Sequence, residues 1–465
     1  MKIEAEAPAG LDRGQMLARA REHLTRLIAC DTRNPPGNEL VAARYLDEVF
    51  SKIPGTTRHL LPVGDGRANF IARLKAPAAT RPPVLVMGHM DVVGVEEDRW
   101  ATPPLVATVV EEGGEEYIHG RGAIDDKGML ATALAAMEAL APGRNEMDRD
   151  VIFLATAGEE GGPRVGMEEV INKHLDLLGS AEFAINEGGR VRIRNGRIVS
   201  VNIQTTEKVP YAVLANASGT GGHASVPLAD NALAALSRAV ARVDAWQAPV
   251  VLNETTRLYF AGLAAIESDP ERSRAMRGIS APDASDAVVN EAAGVLSRDP
   301  LHNAVLRSGQ SLTIMSGGQV ANVIPSEAQA TFNVRVMPGD DIEELVRIFN
   351  TVAAEPRVVF SLRGEPRAAP PVSPVGSSLY RAMESAARVM APSAAVIPFM
   401  STGATDGALL RAAGIPTYGI LPMPLSEGDE LRMHGHDERV PVSSLAWAAE
   451  YLYRTLDEVA RPNAG

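Results

Sequence analysis

The chain has 465 residues, of which 45% are hydrophobic and 22% charged, and its formal net charge is -13. That length can hold two or three domains with large cores, and the negative balance argues against nucleic acid or an anionic membrane as main partner while leaving divalent cations open. Cys30 is the only cysteine, which excludes an intrachain disulfide and a thiolate zinc site; with no apolar leader and no run approaching 18 apolar residues, the expected location is cytoplasmic.

In chain order, an amphipathic stretch over 15–29 predicts a helix, turn-rich DTRNPPGNE follows, and a second helix is expected over 40–50. ANFIARLKA and PPVLVMGHMDVV read as strands. The unbroken VLVM suits a strand buried on both faces, as in a parallel sheet with helices outside. MLATALAAMEALA is a run of helix formers, and VIFLATA and AEFAIN are further apolar strands. Strands alternating with helices predict a doubly wound α/β domain with a mostly parallel sheet.

The pattern changes near Lys208. YAVLANASG predicts a strand and NALAALSRAVARVDAW a helix. In AQATFNVRV, Ala328, Ala330, Phe332, Val334 and Val336 fall on one face, with Gln329, Thr331, Asn333 and Arg335 on the other. A helix in DIEELVRIFNTVAA and a strand in RVVFSLRG complete a small α+β unit, and Pro-rich EPRAAPPVSPVG reads as the linker back. The last segment resumes α/β character with AAVIPFM, PTYGI and a terminal helix. The expected organisation is a catalytic domain in two parts, 1–207 and 369–465, around an inserted domain, 208–368.

In open parallel sheets, ligands bind beyond the carboxyl ends of the strands. VLVM exits into Gly88-His89-Met90-Asp91, VIFLATA into Gly158-Glu159-Glu160, FAI into Asn186-Glu187-Gly188-Gly189, and VIPFM into Ser401-Thr402-Gly403. GRGAIDDKG places Asp125 and Asp126 just before a helix. If these segments share one sheet, a single rim carries His89, Asp91, Asp125, Glu159, Glu160 and Glu187. Such a crowd of carboxylates repels itself unless cations intervene. Imidazoles with carboxylates suit zinc, and less selectively cobalt or manganese.

With these segments assembled, the chain resembles the co-catalytic zinc exopeptidases, the family of aminoacylase, carboxypeptidase S, acetylornithine deacetylase and succinyl-diaminopimelate desuccinylase. DTRNPPGNE, VLVMGHMDVV, GRGAIDDKG, AGEEGG, NEGG, GTGGHASVP, GGQVANVIPSEAQATFNVRVMPG, STGATDG and MHGHDERV carry the resemblance in order, and the aminoacylase and carboxypeptidase S branches are closest in motif. It implies a zinc-peptidase catalytic domain with an inserted lid that dimerises. It also implies two divalent metal ions, most simply zinc: one on His89 and Glu187, the other on Glu160 and His434, with Asp125 bridging. His436, two residues on, is the rival ligand. Asp91 would steady His89, the Asp125–Asp126 peptide would be cis, and Glu159 would act as general base for a metal-bridging hydroxide, then return the proton to the leaving amine.

By the same resemblance, His223 of GGHASVP would donate to the tetrahedral oxyanion in the partner subunit's site. Asn322, Arg335, Gly403 and Thr405 would contact substrate, Arg335 through a fork suited to a carboxylate. One departure stands out: where many relatives carry an arginine two residues after the aspartate of the TD loop, this chain has Ala408, which leaves open whether the substrate needs a free carboxylate. The implied activity is hydrolysis of the amide bond of an N-acyl amino acid or short peptide. Its rivals are an inactive metal-binding homologue serving as a binding or dimer module, which would have no need of an intact Glu159, and a nucleotide-binding protein, for which no Gly loop has a complete phosphate motif.

Overall fold

Four strands form the middle of one sheet: Val151–Thr156, Val84–His89, Phe183–Arg194 and Thr417–Leu425. All run parallel, with Val86 opposite both Phe153 and Ile185, and Tyr418 opposite Ile185. Val84–His89, Val151–Thr156 and Thr417–Leu425 are buried along their whole length. This is why they read as continuous apolar runs rather than alternating ones. Alternate residues nevertheless sort into two cores. Val84, Val86, Val151 and Phe153 join the larger one, while Leu85, Met87, Ile152 and Leu154 join the other. Helices Arg13–Ile28, Lys127–Leu140 and Val442–Ala460 pack together over the larger core, and Met167–His174 with Gly407–Ala412 over the smaller. Further strands extend both flanks: Thr56–Gly64 and Arg67–Leu74, both paired antiparallel, on one side, and antiparallel Arg197–Glu207 followed by Ala395–Ser401 on the other. The α/β class with a mostly parallel sheet is therefore observed.

The computed structural model describes residue 3 and residues 5–462, with Pro163 described by its backbone alone. The outermost residues of the expected first and last segments (1, 2, 4 and 463–465) lie outside the described residues. The chain divides into two compact units, one comprising Met1–Thr206, Pro371–Phe399 and Thr405–Gly465, the other Glu207–Pro370 and Met400–Ala404. Among the described residues, no helix is long and apolar enough to cross a membrane.

The second unit is built on an antiparallel sheet ordered Gly309–Gly317, Glu327–Val336, Val209–Ser218, Val358–Arg363. Along Glu327–Val336, Ala328, Ala330, Phe332, Val334 and Val336 are all buried, as their alternation requires. They pack under helices Ala232–Ala245 and Ile342–Ala353. Four shorter helices, Glu254–Ala264, Pro270–Ser280, Asp286–Leu296 and Pro300–Leu306, fill the segment before the edge strand.

One local reading is corrected. Glu187, Gly188 and Gly189 are not in a loop after a short strand but inside the strand Phe183–Arg194. The glycines read as a turn because glycine usually marks one. Here they serve close backbone packing instead: a Cβ on Gly189 would sit 2.2 Å from the Asn202 carbonyl oxygen and 2.3 Å from that of Gly419.

Candidate metal centre

Every residue expected to hold a metal lies in the first unit, and sheet register brings them together. His89 ends its strand opposite Thr156. Thr156 is followed at once by Ala157, Gly158, Glu159 and Glu160. Gly158 adopts φ +75, a left-handed conformation that side chains resist, and turns the chain so that both glutamates follow the strand end. The backbone N–H groups of Glu159 and Glu160 donate to Asp91 Oδ1 and Oδ2, each at 3.1 Å. Asp91 Oδ2 also accepts from Asn34 Nδ2 at 2.8 Å. His89 Nδ1 lies 2.9 Å from the Asp91 carbonyl oxygen and 3.6 Å from Oδ1. Asp91, fully buried, thus organises four neighbours at once.

Asp125 stands at the centre. Its Oδ1 is 3.0 Å from His89 Nε2, and its Oδ2 is 3.2 Å from His434 Nε2. His434 Nε2 is in turn 2.9 Å from Glu160 Oε1. The two oxygens of one carboxylate therefore face two imidazoles that share no other partner there. Ligand atoms of His89, Asp125 and Glu160 all fall within 4.8 Å of one another. Glu187 makes itself felt electrostatically at Asp126 and Glu159. The Asp125–Asp126 peptide is cis. His434 has a left-handed backbone, φ +59. His436 is exposed and touches none of these groups among the contacts described.

The electrostatics are those of a cation site holding protons. Burial disfavours charge on His89, but Asp125, Asp91 and Glu159 outweigh it and keep the imidazole protonated well above its ordinary range. Asp125 and Glu160 push His434 up to about 10. Burial would raise Asp125, yet the two imidazoles hold it far below the usual carboxylate range. Glu159 goes the other way. Burial, then Glu187, Asp406 and Glu160, lift it well above an ordinary glutamate, with only His89 resisting. The acid cluster thus favours positive charge on both imidazoles.

The donor set fits a metal pair: two imidazoles and oxygen ligands, with a carboxylate positioned to bridge. Glu160 Oε1 is buried and has no hydrogen-bond donor, although His434 Nε2 is 2.9 Å away. An acceptor aimed at a ring nitrogen without hydrogen-bond geometry is what two ligands of one cation look like.

Several supporting residues escaped the sequence reading. Glu438 is completely buried. Its Oε2 accepts from Arg121 Nη1 at 2.6 Å and the Gly122 N–H at 3.0 Å. Its Oε1 accepts from the N–H groups of Ile124 at 2.8 Å and Asp125 at 3.0 Å. One side chain thereby ties the loop of Asp125 to the segment carrying His434. Asp126 Oδ2 accepts from the His89 N–H at 3.1 Å, and Asp406 Oδ2 from the Thr156 hydroxyl at 2.8 Å. The only sequence sign was their position within the motif segments HDER, DDKG and TDG.

The other expected residues are divided between the two units. Thr405, in the first unit, accepts from the Gly407 N–H at 3.1 Å. In the second unit, His223 pairs with Val323 across a two-residue ladder, next to Asn322. The His223 ring is exposed, with Nδ1 2.7 Å from Ser225 Oγ. Arg335 is at the other end of the sheet, opposite Pro210, eight residues beyond Glu327 and so roughly 26 Å along the strand. Gly403 donates its N–H to Ser401 Oγ at 3.1 Å.

A mostly parallel sheet whose strand ends assemble such a cluster defines a metallohydrolase of the peptidase type. The chain belongs to peptidase family M20/M25/M40, whose pattern matches residues 85–458. It is 30% identical over 383 residues to the probable carboxypeptidase S-like 2 of Dictyostelium discoideum, covering 80% of this chain and 71% of that protein. It is 27% identical to the human N-fatty-acyl-amino acid synthase/hydrolase PM20D1, covering 89% and 81%. The fold matches the M20 metallo-carboxypeptidase Sso-CP2 of Sulfolobus solfataricus with a TM-score of 0.72 and 20% identity, over 95% of this chain and 99% of that one. It also matches YXEP of Bacillus subtilis, described as a dinuclear metal binding peptidase, at TM-score 0.60 and 14% identity, over 97% and 99%. The chain is a metal-dependent amidohydrolase or exopeptidase.

Proposed function

We propose that the chain is a di-zinc hydrolase that cleaves the amide bond of an N-acyl amino acid or short peptide. The observation that carries this reading is the position of Asp125, one oxygen toward His89 and the other toward His434. His89 and Glu187 would hold one metal, Glu160 and His434 the other, with Asp125 shared. When bound, such a pair supplies an activated water and polarises the amide carbonyl. Glu159 moves the proton: its raised proton affinity suits a group that must take one near neutral pH and return it to the leaving amine. Asp91 holds Glu159 and Glu160 through their backbone N–H groups and keeps His89 oriented.

In this reading His223 donates to the developing oxyanion, while Asn322, Arg335, Gly403 and Thr405 position substrate. His223 acts in the partner subunit's site of a homodimer formed by the inserted domain, 208–368. Support comes from the edge strand Gly309–Gly317, where Leu312, Ile314 and Met315 are exposed beside unpaired backbone. Similarity to a carboxypeptidase S-like protein and an N-fatty-acyl-amino acid synthase/hydrolase supports the substrate class.

The test is Glu159→Gln, which preserves shape and removes the base. Metal content measured by atomic emission stays at about two per chain, while kcat on an N-acyl amino acid falls about 10²–10⁴-fold. An unchanged kcat removes Glu159 from its assigned role.

A further inference from the structure

The first helix, Arg13–Ile28, buries Met16, Ala20, His23, Leu24 and Leu27 along one stripe. His23 is the polar exception on that stripe and is fully buried, so its ring needs partners. Two other helices supply them. Nδ1 lies 2.7 Å from the hydroxyl of Tyr45, in Leu40–Phe50, and Nε2 lies 3.1 Å from Oε2 of Glu138, in Lys127–Leu140. None of the three belongs to the metal centre. Tyr45 and Glu138 border a cavity of about 950 Å³ that Met16, Val49, Ile53 and Ala139 also line, a size that takes a small organic molecule against an apolar wall.

Charge fixes the direction of this chain of hydrogen bonds. Arg19 donates to Glu138 from Nε at 2.8 Å and from Nη2 at 2.6 Å. Burial would raise the Glu138 carboxyl, but Arg19 and then His23 outweigh it and hold it at about 2. An ionised carboxylate only accepts, so the imidazole carries its proton on Nε2. In the neutral ring Nδ1 is then an acceptor, and the Tyr45 hydroxyl donates to it. Burial pushes the Tyr45 phenol up to about 12, so it does not ionise unaided near neutral pH. His23 is in place to take the proton instead. A hydroxyl in contact with a base that a third group orients is the arrangement that activates side-chain nucleophiles.

We propose that Tyr45 is a covalent acceptor site, its phenol oxygen taking the acyl group of a small thioester bound in this cavity. The oxygen bonds to the acyl carbon as its proton passes to His23 Nδ1. The carbon–sulfur bond breaks, the sulfur leaves with the electron pair, and it recovers that proton as a thiol. The products are an aryl ester on Tyr45 and a free thiol, with nothing oxidised or reduced. Glu138 is a positioning residue: it holds the ring in the tautomer that leaves Nδ1 open and steadies the imidazolium that forms.

Phenyl thioacetate, incubated with the metal-loaded, full-length chain and followed by peptide mass spectrometry, tests the site. Tyr117 is the internal control. It too is half-buried, and Arg439 lies 4.1 Å from its ring centroid as Arg26 lies 5.5 Å from that of Tyr45. Among the described residues, however, no imidazole meets the Tyr117 hydroxyl. Tyr45 is expected to acetylate about 10²-fold faster than Tyr117. Its rate levels off near neutral pH instead of climbing toward about 12, where its own phenolate forms. His23→Gln brings the Tyr45 rate down to that of Tyr117. Glu138→Gln, an independent variant should His23→Gln fail to fold, lowers it about tenfold or more. Equal rates at Tyr45 and Tyr117 in the wild type, or an unchanged Tyr45 rate in the variant that folds, overturns the proposal. The readout is an acetylated peptide rather than a cleaved amide, so the outcome is independent of the reaction assigned to the metal centre.

Discussion

In the proposed metal centre, protons and cations would compete for the same nitrogens. Without metal, Asp125 and Glu160 push His434 from the ordinary 6.5 of an imidazole up to about 10. A raised pKa means that the stabilisation is fully present below about 6.5 and is lost as pH rises through about 10. Metal needs the unprotonated ring, so loading must displace that proton. Chelated protein is therefore expected to lose thermal stability from pH 6.5 to 10, while the gain in Tm on adding zinc grows over the same window. His434→Ala flattens the metal-free decline. Calorimetry at a series of pH values checks this; a zinc-induced gain that ignores pH contradicts it. A second expectation concerns Glu438, whose carboxylate receives four donors in full burial, Arg121 among them. Glu438→Ala leaves that guanidinium buried and unpaired, a loss of about 3–5 kcal/mol. Urea denaturation reads the loss, and metal content should fall with it. These residues differ in how far sequence could reveal them. Glu159 and Glu160 stood out as two acids after an apolar strand, whereas Glu438 looked like any charged residue, because its burial depends on a loop more than 300 positions away.

The same division appears among the elements. Val84–His89 and Val151–Thr156 were legible because both faces are covered, leaving no polar position to interrupt the apolar run. Glu327–Val336 was legible for the opposite reason, one covered face and strict alternation. The strand Phe183–Arg194 was not, since Gly188 and Gly189 carry a turn signature and only the neighbouring strands reveal their use. Gly189→Ala is expected to destabilise the chain by about 1–3 kcal/mol through overpacking against the Asn202 and Gly419 carbonyls. Because Glu187 is two residues earlier on the same strand, zinc affinity should fall as well, measured by competition with a chromophoric chelator. Wild-type stability in this variant would show that the neighbouring strands can give way. The strand Arg197–Glu207 had no clear reading of its own, and its place in the sheet comes from pairing with Phe183–Arg194.

At the scale of the whole molecule, the exposed edge strand Gly309–Gly317 leads to a prediction about assembly. Light scattering after gel filtration should give twice the chain mass, and Ile314→Lys should give monomers with an unchanged far-UV spectrum. Glu159→Gln and His223→Ala, each nearly inactive alone, should regain activity when subunits are mixed, because one site of each mixed dimer is then intact. No recovery would place His223 outside the partner's chemistry. By itself, the sequence determined the local and the chemical: which segments are apolar strands and helices, where acids and imidazoles follow strand ends, and the class of reaction such ligands permit. Those properties depend on residue type and short-range period, which a chain carries in any conformation. Only the tertiary structure decided that Asp125 faces two imidazoles, that His434 rather than His436 turns toward it, and that His23 joins Tyr45 to Glu138. Each is a meeting of residues far apart in the chain, and sheet register, helix packing and loop closure set such meetings rather than composition.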